Sequence, residues 1–237
     1  MTVDRAWQIE FDEAVIAGAP GSSLARILAR PGGREIWEGA AEDARRTLAP
    51  AAAWDFFPVA EIRHEQVVLS GGARLRGGPI AEVVAGAEEL AVAVCTVGDR
   101  ITERVREHQR SRRLLRGLLL DELGSWAVDT VRQQLCRRLQ QEAEASGART
   151  STSLSPGESE WPVDDQPVLF SLLDTAGIGV TLSPTLLMIP VKSISLILGR
   201  GRGPLGREGG SNCDFCVMRE RCTYRRRREA PQERGTP

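Results

Sequence analysis

The sequence is poor in lysine and histidine and has no long apolar run. Lys192 is the only lysine, so 30 of the 31 basic residues are arginine, and only two histidines are present. The formal net charge of −1 gives no global indication of a nucleic-acid partner. No stretch of about eighteen apolar residues occurs, and the N-terminal segment is too acidic for a secretory signal. We therefore expect a cytoplasmic protein that has no membrane partner.

The chain has enough apolar sequence to bury a core without disulfides, since 41% of its 237 residues are hydrophobic. Apolar residues at helical spacing, broken by glycine and proline at 18–21, predict two short helices and then a third helix over 34–48. Aromatic and β-branched runs within 54–75 predict a strand meander, and the apolar run 90–97 predicts a central strand. The proline-free stretch 112–145 predicts one long amphipathic helix.

Residues 153–195 combine a Ser-Pro-Gly turn, a short helix and an apolar strand in a distinctive order. This order resembles the core of the reactivation domain of cobalamin-dependent methionine synthase. In that family an Arg-x-x-x-Gly-Tyr turn precedes a proline, a helix, an Ile-Gly strand entry and a Pro-x-x-Ser-apolar-Ser segment. The positions that fit the pattern are Pro156, Gly157, Pro162, Ile178, Gly179, Leu182, Pro190, Ser193 and Ser195.

The resemblance implies an α+β fold like the methionine synthase activation domain, with a mixed or antiparallel sheet, a long central helix and a helical N-terminal cap. We expect four regions along the chain. These are a cap at 1–50, a reactivation-like domain at 51–198, a Gly-rich linker at 199–211 and a cysteine tail at 212–237.

Two positions depart from the family. The arginine that holds the carboxylate of S-adenosylmethionine is replaced by Ser153, and the tyrosine is replaced by Glu158. A serine hydroxyl cannot replace the paired donors of a guanidinium, and a second carboxylate repels the first. These changes argue against methyl-donor binding, although Arg149 could substitute. The resemblance then implies that Pro156, Gly157 and Glu158 line a remnant pocket, whereas the residues alone favour a plain Pro-Gly turn.

The C-terminal tail contains Cys213, Cys216 and Cys222 in a C-x2-C-x5-C arrangement. Paired thiolates at this spacing can grip one metal centre, and disulfides are rare in a reducing compartment. We favour an iron-sulfur cluster over zinc, because a reactivation-like domain gives an electron carrier a role. A redox-sensing or unmetallated tail is the alternative. The candidate fourth ligands are Cys95, Cys136, His64, His108 and Asp214.

Three other features each have two interpretations. Asp164 and Asp165 suit a helix start, and as an acid–base pair they lack a nearby histidine. The double glycines at 71–72 and 77–78 favour hairpin turns over a phosphate loop, because no Gly-Lys-Ser/Thr follows. The arginine run 225–228 favours a solvated tail over a nucleic-acid patch.

Neither histidine stands in an Asp-x-His-x-x-Gly setting, so the chain must act on the cobalamin of another protein. The leading hypothesis is a reactivation-like accessory in methionine biosynthesis or corrinoid methyl transfer. It would cap a corrinoid protein or cobalamin-dependent methyltransferase and use the tail to assist reduction. A second hypothesis is a non-catalytic assembly protein with a zinc-stabilised tail that has lost S-adenosylmethionine binding. A third is a methyltransferase for a different acceptor.

Overall fold

A curled antiparallel sheet forms the centre of the molecule, which is a computed structural model that describes residues 1–19, 22–158 and 160–207. Its main path has the order β4-β3-β2-β5-β9-β6, and β1 pairs with β2 beside that path. A separate hairpin joins β7 and β8. The strands are β1 (Thr2–Asp4), β2 (Ala51–Arg63), β3 (Gln66–Leu69), β4 (Arg74–Arg76), β5 (Glu89–Thr96), β6 (Arg149–Thr150), β7 (Thr181–Leu182), β8 (Met188–Ile189) and β9 (Ser193–Gly201).

One face of the sheet is covered by helices, and the longest of them, α6, packs against β5, β9 and β6. The N-terminal helices form the predicted cap, in which α3 contacts both α5 and α6. The helices are α1 (Glu13–Gly18), α2 (Leu24–Leu28), α3 (Gly33–Thr47), α4 (Ile80–Val83), α5 (Arg100–Arg110), α6 (Leu114–Ala145) and α7 (Gln166–Leu172). No helix in these described ranges is both long and apolar enough to cross a membrane.

The central strand β5 has a core on each face, as its continuous apolar sequence predicts. Alternate side chains of a strand point to opposite faces of the sheet. Ala93 and Cys95 therefore face the α6 side, and Val92 and Val94 face the α7 side. All four are fully buried. This two-sided packing fixes β5 and β9 as the rigid support for the segment 151–161 that follows β6.

Three local features differ from the sequence-based expectations. Strand β1 was not predicted. It forms by antiparallel pairing with β2, in which Thr2 lies opposite Trp54. Strand β2 begins at Ala51 rather than Trp54, because pairing with β5 overrides the helical preference of alanine. The predicted linker 199–211 overlaps the end of β9, where Gly199 and Gly201 lie opposite neighbouring strands. The proposed division into domains stays a prediction.

Candidate functional site

The predicted pocket residues Pro156, Gly157 and Glu158 lie in a tight turn. The amide of Gly157 donates to the carbonyl of Trp161 at 2.8 Å, and the amide of Glu158 donates to the carbonyl of Ser155 at 3.0 Å. Gly157 has a φ of 89°, a conformation that favours glycine. We call residues 155–161 the Pro-Gly turn. The expected turn is therefore present, and its role in ligand binding stays a prediction.

Two anchors hold the Pro-Gly turn at the edge of the sheet. Before the turn, Leu154 exchanges two backbone hydrogen bonds with Ile197 of β9, at 2.8 and 3.0 Å. At its end, the Trp161 side chain is 1% exposed and donates its indole N–H to the carboxylate of Asp165 at 2.8 Å. Both ends of the turn are thus fixed in the core on the α7 side, and the exposed Gly157 lies between them.

The second double glycine packs against the Pro-Gly turn. A Cβ added to Gly78 would lie 2.6 Å from the backbone nitrogen of Trp161, and one added to Gly77 would lie 2.9 Å from the Pro162 ring. Larger residues would therefore push the turn outward. The prediction of a hairpin turn holds for 71–72, which join β3 to β4, whereas 77–78 provide a close backbone approach.

The paired aspartates at 164–165 begin a helical segment. Both lie in a 3₁₀ turn, Val163–Asp165, directly before α7. The Asp165 carboxylate accepts hydrogen bonds from the Trp161 indole and from the backbone amide of Arg76, and Asp164 is exposed. These contacts favour the helix-start interpretation of the pair over acid–base catalysis.

A buried arginine lies close to the Pro-Gly turn, and sequence reasoning missed it. Arg132 of α6 is 4% exposed, and its Nε donates to the Asp129 carboxylate at 3.1 Å. Burial lowers the pKa of Arg132, but the nearby carboxylates of Asp129 and Glu158 raise it by more. The guanidinium therefore stays charged, and its charge interacts favourably with that of Glu158.

Two polar atoms in this region are buried without a hydrogen-bond partner among the described residues. They are Nη1 of Arg132 and Oγ of Ser155, the first residue of the Pro-Gly turn. A buried donor without a partner costs about 1–3 kcal/mol, and a charged one costs more. The site therefore holds one guanidinium nitrogen, Nη1 of Arg132, that has no hydrogen-bond partner among the described residues.

The substitution of Arg149 for the family arginine stays a prediction. Ser153 is half-buried in the strand-like segment before the turn, and Arg149 is exposed in β6, opposite Gly201 of β9. Arg149 lies six residues before Ser155, near the other end of this edge of β9. The charge of Arg132 interacts favourably with that of Glu158.

The metal ligands predicted from the sequence, Cys213, Cys216 and Cys222, lie outside the described residues, as does Asp214. Of the other candidate fourth ligands, Cys95 is fully buried, and burial strongly raises the pKa of its thiol. His64 is exposed in the turn between β2 and β3. Within the described ranges no group of three or more His, Cys, Asp or Glu side chains could hold a metal.

Two candidate ligands remain. Cys136 is half-buried in α6, and His108 belongs to a buried ionic cluster between the helical cap and α6. Its Nε2–H donates to the Asp43 carboxylate at 2.8 Å, with the tautomer assigned from that partner. Arg104 and Arg116 also donate to Asp43, at 3.0 and 2.7 Å. Burial raises the pKa of Asp43, but these three hydrogen bonds lower it by more. The cluster ties α3 to α5 and α6.

A comparison with solved structures finds a similar fold. The structure of the MetH reactivation domain bound to AdoHcy is similar, with a TM-score of 0.61 and 12% sequence identity. The match covers 91% of this chain and 83% of the chain of that domain. No protein-family model and no curated protein sequence matches the chain. The chain therefore has the fold of the MetH reactivation domain, which confirms the predicted α+β class with its antiparallel sheet and long helix.

Proposed function

We propose that this chain is a reactivation-like partner of a corrinoid protein or of a cobalamin-dependent methyltransferase of the methionine synthase type. The observation that carries the proposal is the shared fold over 91% of the chain. In this role the chain docks over the cobalt of its partner while one electron reduces cob(II)alamin to cob(I)alamin. Cob(I)alamin then takes a methyl group from a sulfonium donor, which gives methylcob(III)alamin and the neutral thioether.

An exposed apolar surface supports a docking role. Leu187, Ile189 and Val191 are 64%, 50% and 56% exposed, although each is a large hydrophobic residue. They lie in and directly after the β7–β8 hairpin, which contacts β9. We call these three residues the hairpin patch. Because apolar side chains grouped on a surface mark interaction sites, we assign the hairpin patch to the corrinoid-loaded partner.

The C-terminal cysteines supply the second part of the proposal. Three thiolates flanked by Arg219, Arg221 and Arg225 suit an iron-sulfur cluster or zinc, because nearby cations lower the pKa of a thiol. An iron-sulfur cluster would supply one-electron transfer. The described fold ends at Arg207, six residues before Cys213, and six extended residues reach at most about 20 Å. The tail is therefore tethered to the part of the fold where Arg207 lies.

A second candidate function is a non-catalytic assembly protein with a zinc-stabilised tail. The observation that favours it is Ser153 at the arginine position, since a hydroxyl lacks the paired donors that a carboxylate ligand needs. In this second candidate function the chain still docks on its partner but does not assist the reduction of cobalt. This candidate predicts a colourless protein with stoichiometric zinc, whereas the first candidate predicts a brown protein with iron and acid-labile sulfide.

Docking is tested with a cobalamin-loaded methionine synthase fragment that lacks its own reactivation domain. We expect the full chain to bind this fragment in anaerobic analytical ultracentrifugation, and Leu187→Asp with Ile189→Asp to weaken binding at least tenfold. Val15→Asp is the matched control, because Val15 is 48% exposed but lies in α1. Failure of the unmodified chain to bind any corrinoid-loaded protein contradicts the proposal. Equal weakening by the control contradicts the assignment of the hairpin patch.

A further inference from the structure

Two large apolar side chains are exposed on the first turns of α6. Leu114 is 62% exposed and Leu118 is 54% exposed. They are four residues apart in one helix, so they lie on the same face of α6. Apolar side chains that are grouped on a surface, rather than scattered singly, mark an interaction site. The start of α6 is therefore a second exposed apolar surface beside the hairpin patch already described.

Lys192 joins this part of α6 to the hairpin patch. Its Nζ forms an ion pair with the Asp121 carboxylate at 2.8 Å and donates to the Ser125 hydroxyl at 2.9 Å. Asp121 and Ser125 lie three and seven residues after Leu118, on the same face of the helix. Val191 of the hairpin patch directly precedes Lys192 in the chain. The two exposed leucines and the hairpin patch therefore lie on one side of the molecule, and we call them together the docking strip.

Three arginines border the docking strip where α6 begins. Arg110 ends α5, and Arg112 and Arg113 lie in the connection to α6. All three are exposed, and none forms an ion pair with another described residue. The connection is tight, because Arg112 has a φ of 56° and a Cβ added to Gly117 would lie 3.3 Å from the Cβ of His108. The three arginines therefore form a cationic corner at one end of the docking strip, which we call the arginine corner.

We propose that the docking strip and the arginine corner form one interface, whose occupant is a corrinoid-loaded partner that presents an acidic edge beside an apolar surface. The inference rests on the proposed function for the corrinoid in that partner. Unpaired cations at the rim of an apolar surface favour an anionic partner, because complementary charges speed association and like charges are repelled. A second copy of this chain fits less well, since it presents the same arginines, and Asp121 near Leu118 is already paired with Lys192.

The apolar part is tested with the full chain and the cobalamin-loaded methionine synthase fragment that lacks its own reactivation domain. Leu114→Asp with Leu118→Asp should weaken binding roughly tenfold or more, because the substitutions place two charges in the apolar contact. Val15→Asp is again the control, since Val15 is exposed but lies in α1, and it should bind as the unmodified chain does. Circular dichroism checks that each variant folds. If the leucine variant does not fold, the arginine variant decides the inference.

The charged part is tested by association kinetics in stopped flow. Arg110→Glu with Arg113→Glu should slow association roughly tenfold at low salt, and this difference should shrink at high salt, because salt screens exposed charges. The control is Arg74→Glu with Arg137→Glu. It makes the same change in net charge at exposed arginines of β4 and of the last third of α6, and it should slow association less than about twofold.

The outcomes separate this inference from the proposed function. Binding that neither the leucine nor the arginine substitutions weaken overturns the inference and leaves the proposed function intact. Equal slowing by the control pair overturns the assignment of the arginine corner. A dimer of the chain alone that the leucine substitutions break assigns the docking strip to a second copy and also overturns the inference. If the unmodified chain binds no corrinoid-loaded fragment, the proposed function fails and the inference fails with it.

Discussion

The backbone amide of Thr152 donates a 2.9 Å hydrogen bond to the carbonyl oxygen of Arg207. Thr152 lies three residues before Ser155, where the Pro-Gly turn begins. The amides of Gly206 and Arg207 in turn donate to the carbonyls of Ala85 and Val83, at 2.8 and 3.2 Å. The described chain therefore ends against the segment that leads into the candidate site.

Metal analysis tests the tail. After anaerobic purification we expect iron and acid-labile sulfide in the unmodified chain, and their loss in Cys213→Ser, because the remaining thiolates cannot complete the centre. Cys136→Ser is the second variant: Cys136 lies in α6 and is a candidate fourth ligand, so loss of metal in this variant would identify it as one. Zinc without sulfide would favour the assembly protein, and metal-free material would reject both candidates.

Gly157 is predicted to be conformationally constrained. Gly157→Ala should destabilise the fold by about 1–2 kcal/mol, because an alanine side chain clashes with its own backbone at positive φ. Gly177→Ala is the matched control: a Cβ meets nothing within 4 Å at either site, but only Gly157 has a positive φ. Urea denaturation of both variants measures the difference. Equal stability of the two variants would show that the described turn conformation is not required.

We expect Asp43 to stabilise the packing of the helical cap. Asp43→Ala should destabilise the fold by about 3 kcal/mol, because it leaves the imidazole of His108 and two guanidiniums without their shared acceptor. The neighbouring Glu42→Ala should cost less than about 0.5 kcal/mol, since its ion pair with Arg46 is exposed. Both values come from urea unfolding at pH 7.5. A small effect of Asp43→Ala would contradict a structural role for the cluster.

The same cluster predicts a loss of stability in mild acid. Burial lowers the pKa of His108 by more than its bond to Asp43 raises it, so the unfolded state binds a proton more readily. The contribution of His108 is therefore complete above its ordinary pKa of about 6.5 and declines as the pH falls below it. The pKa of Asp43 is lowered in the folded state, so the stability that Asp43 contributes is also lost as the pH falls, at lower pH than for His108.

Urea unfolding at pH 7.5 and 5.5 measures this dependence. Relative to the unmodified chain, His108→Gln should lose less stability between the two values, because glutamine can donate to Asp43 and has no proton to gain. Parallel pH profiles for the two proteins would show that His108 does not carry the effect.

Much of the fold could be predicted from the sequence, because its elements are strongly patterned. The long helix was predicted from the apolar stripe that includes Leu123, Val131 and Leu135, and all three are buried in α6. Strand β5 was predicted as a central strand from its apolar run. Strand β1 was not predicted, since its three residues form a strand only by pairing with β2, and such tertiary pairing leaves no local pattern.

The candidate site was only partly predictable. The residues of the Pro-Gly turn followed from the order of motifs around Gly157, but Arg132 was not among the predicted site residues. The available signal was its position, four residues after Val128 and three before Leu135, which are both buried. An arginine at that spacing lies on the buried face of its helix. Its proximity to Glu158 depends on how α6 packs on the sheet, so no local pattern could show it.

The most direct test of the proposed function follows the oxidation state of cobalt in a partner. Cob(II)alamin bound to a methionine synthase fragment without its reactivation domain is mixed anaerobically with the chemically reduced full chain and S-adenosylmethionine, and the visible spectrum is recorded. The account predicts that methylcob(III)alamin forms at a rate that rises with the concentration of the chain and falls in Cys213→Ser. If cob(II)alamin persists at every concentration of folded, metal-loaded chain, the proposed function is wrong.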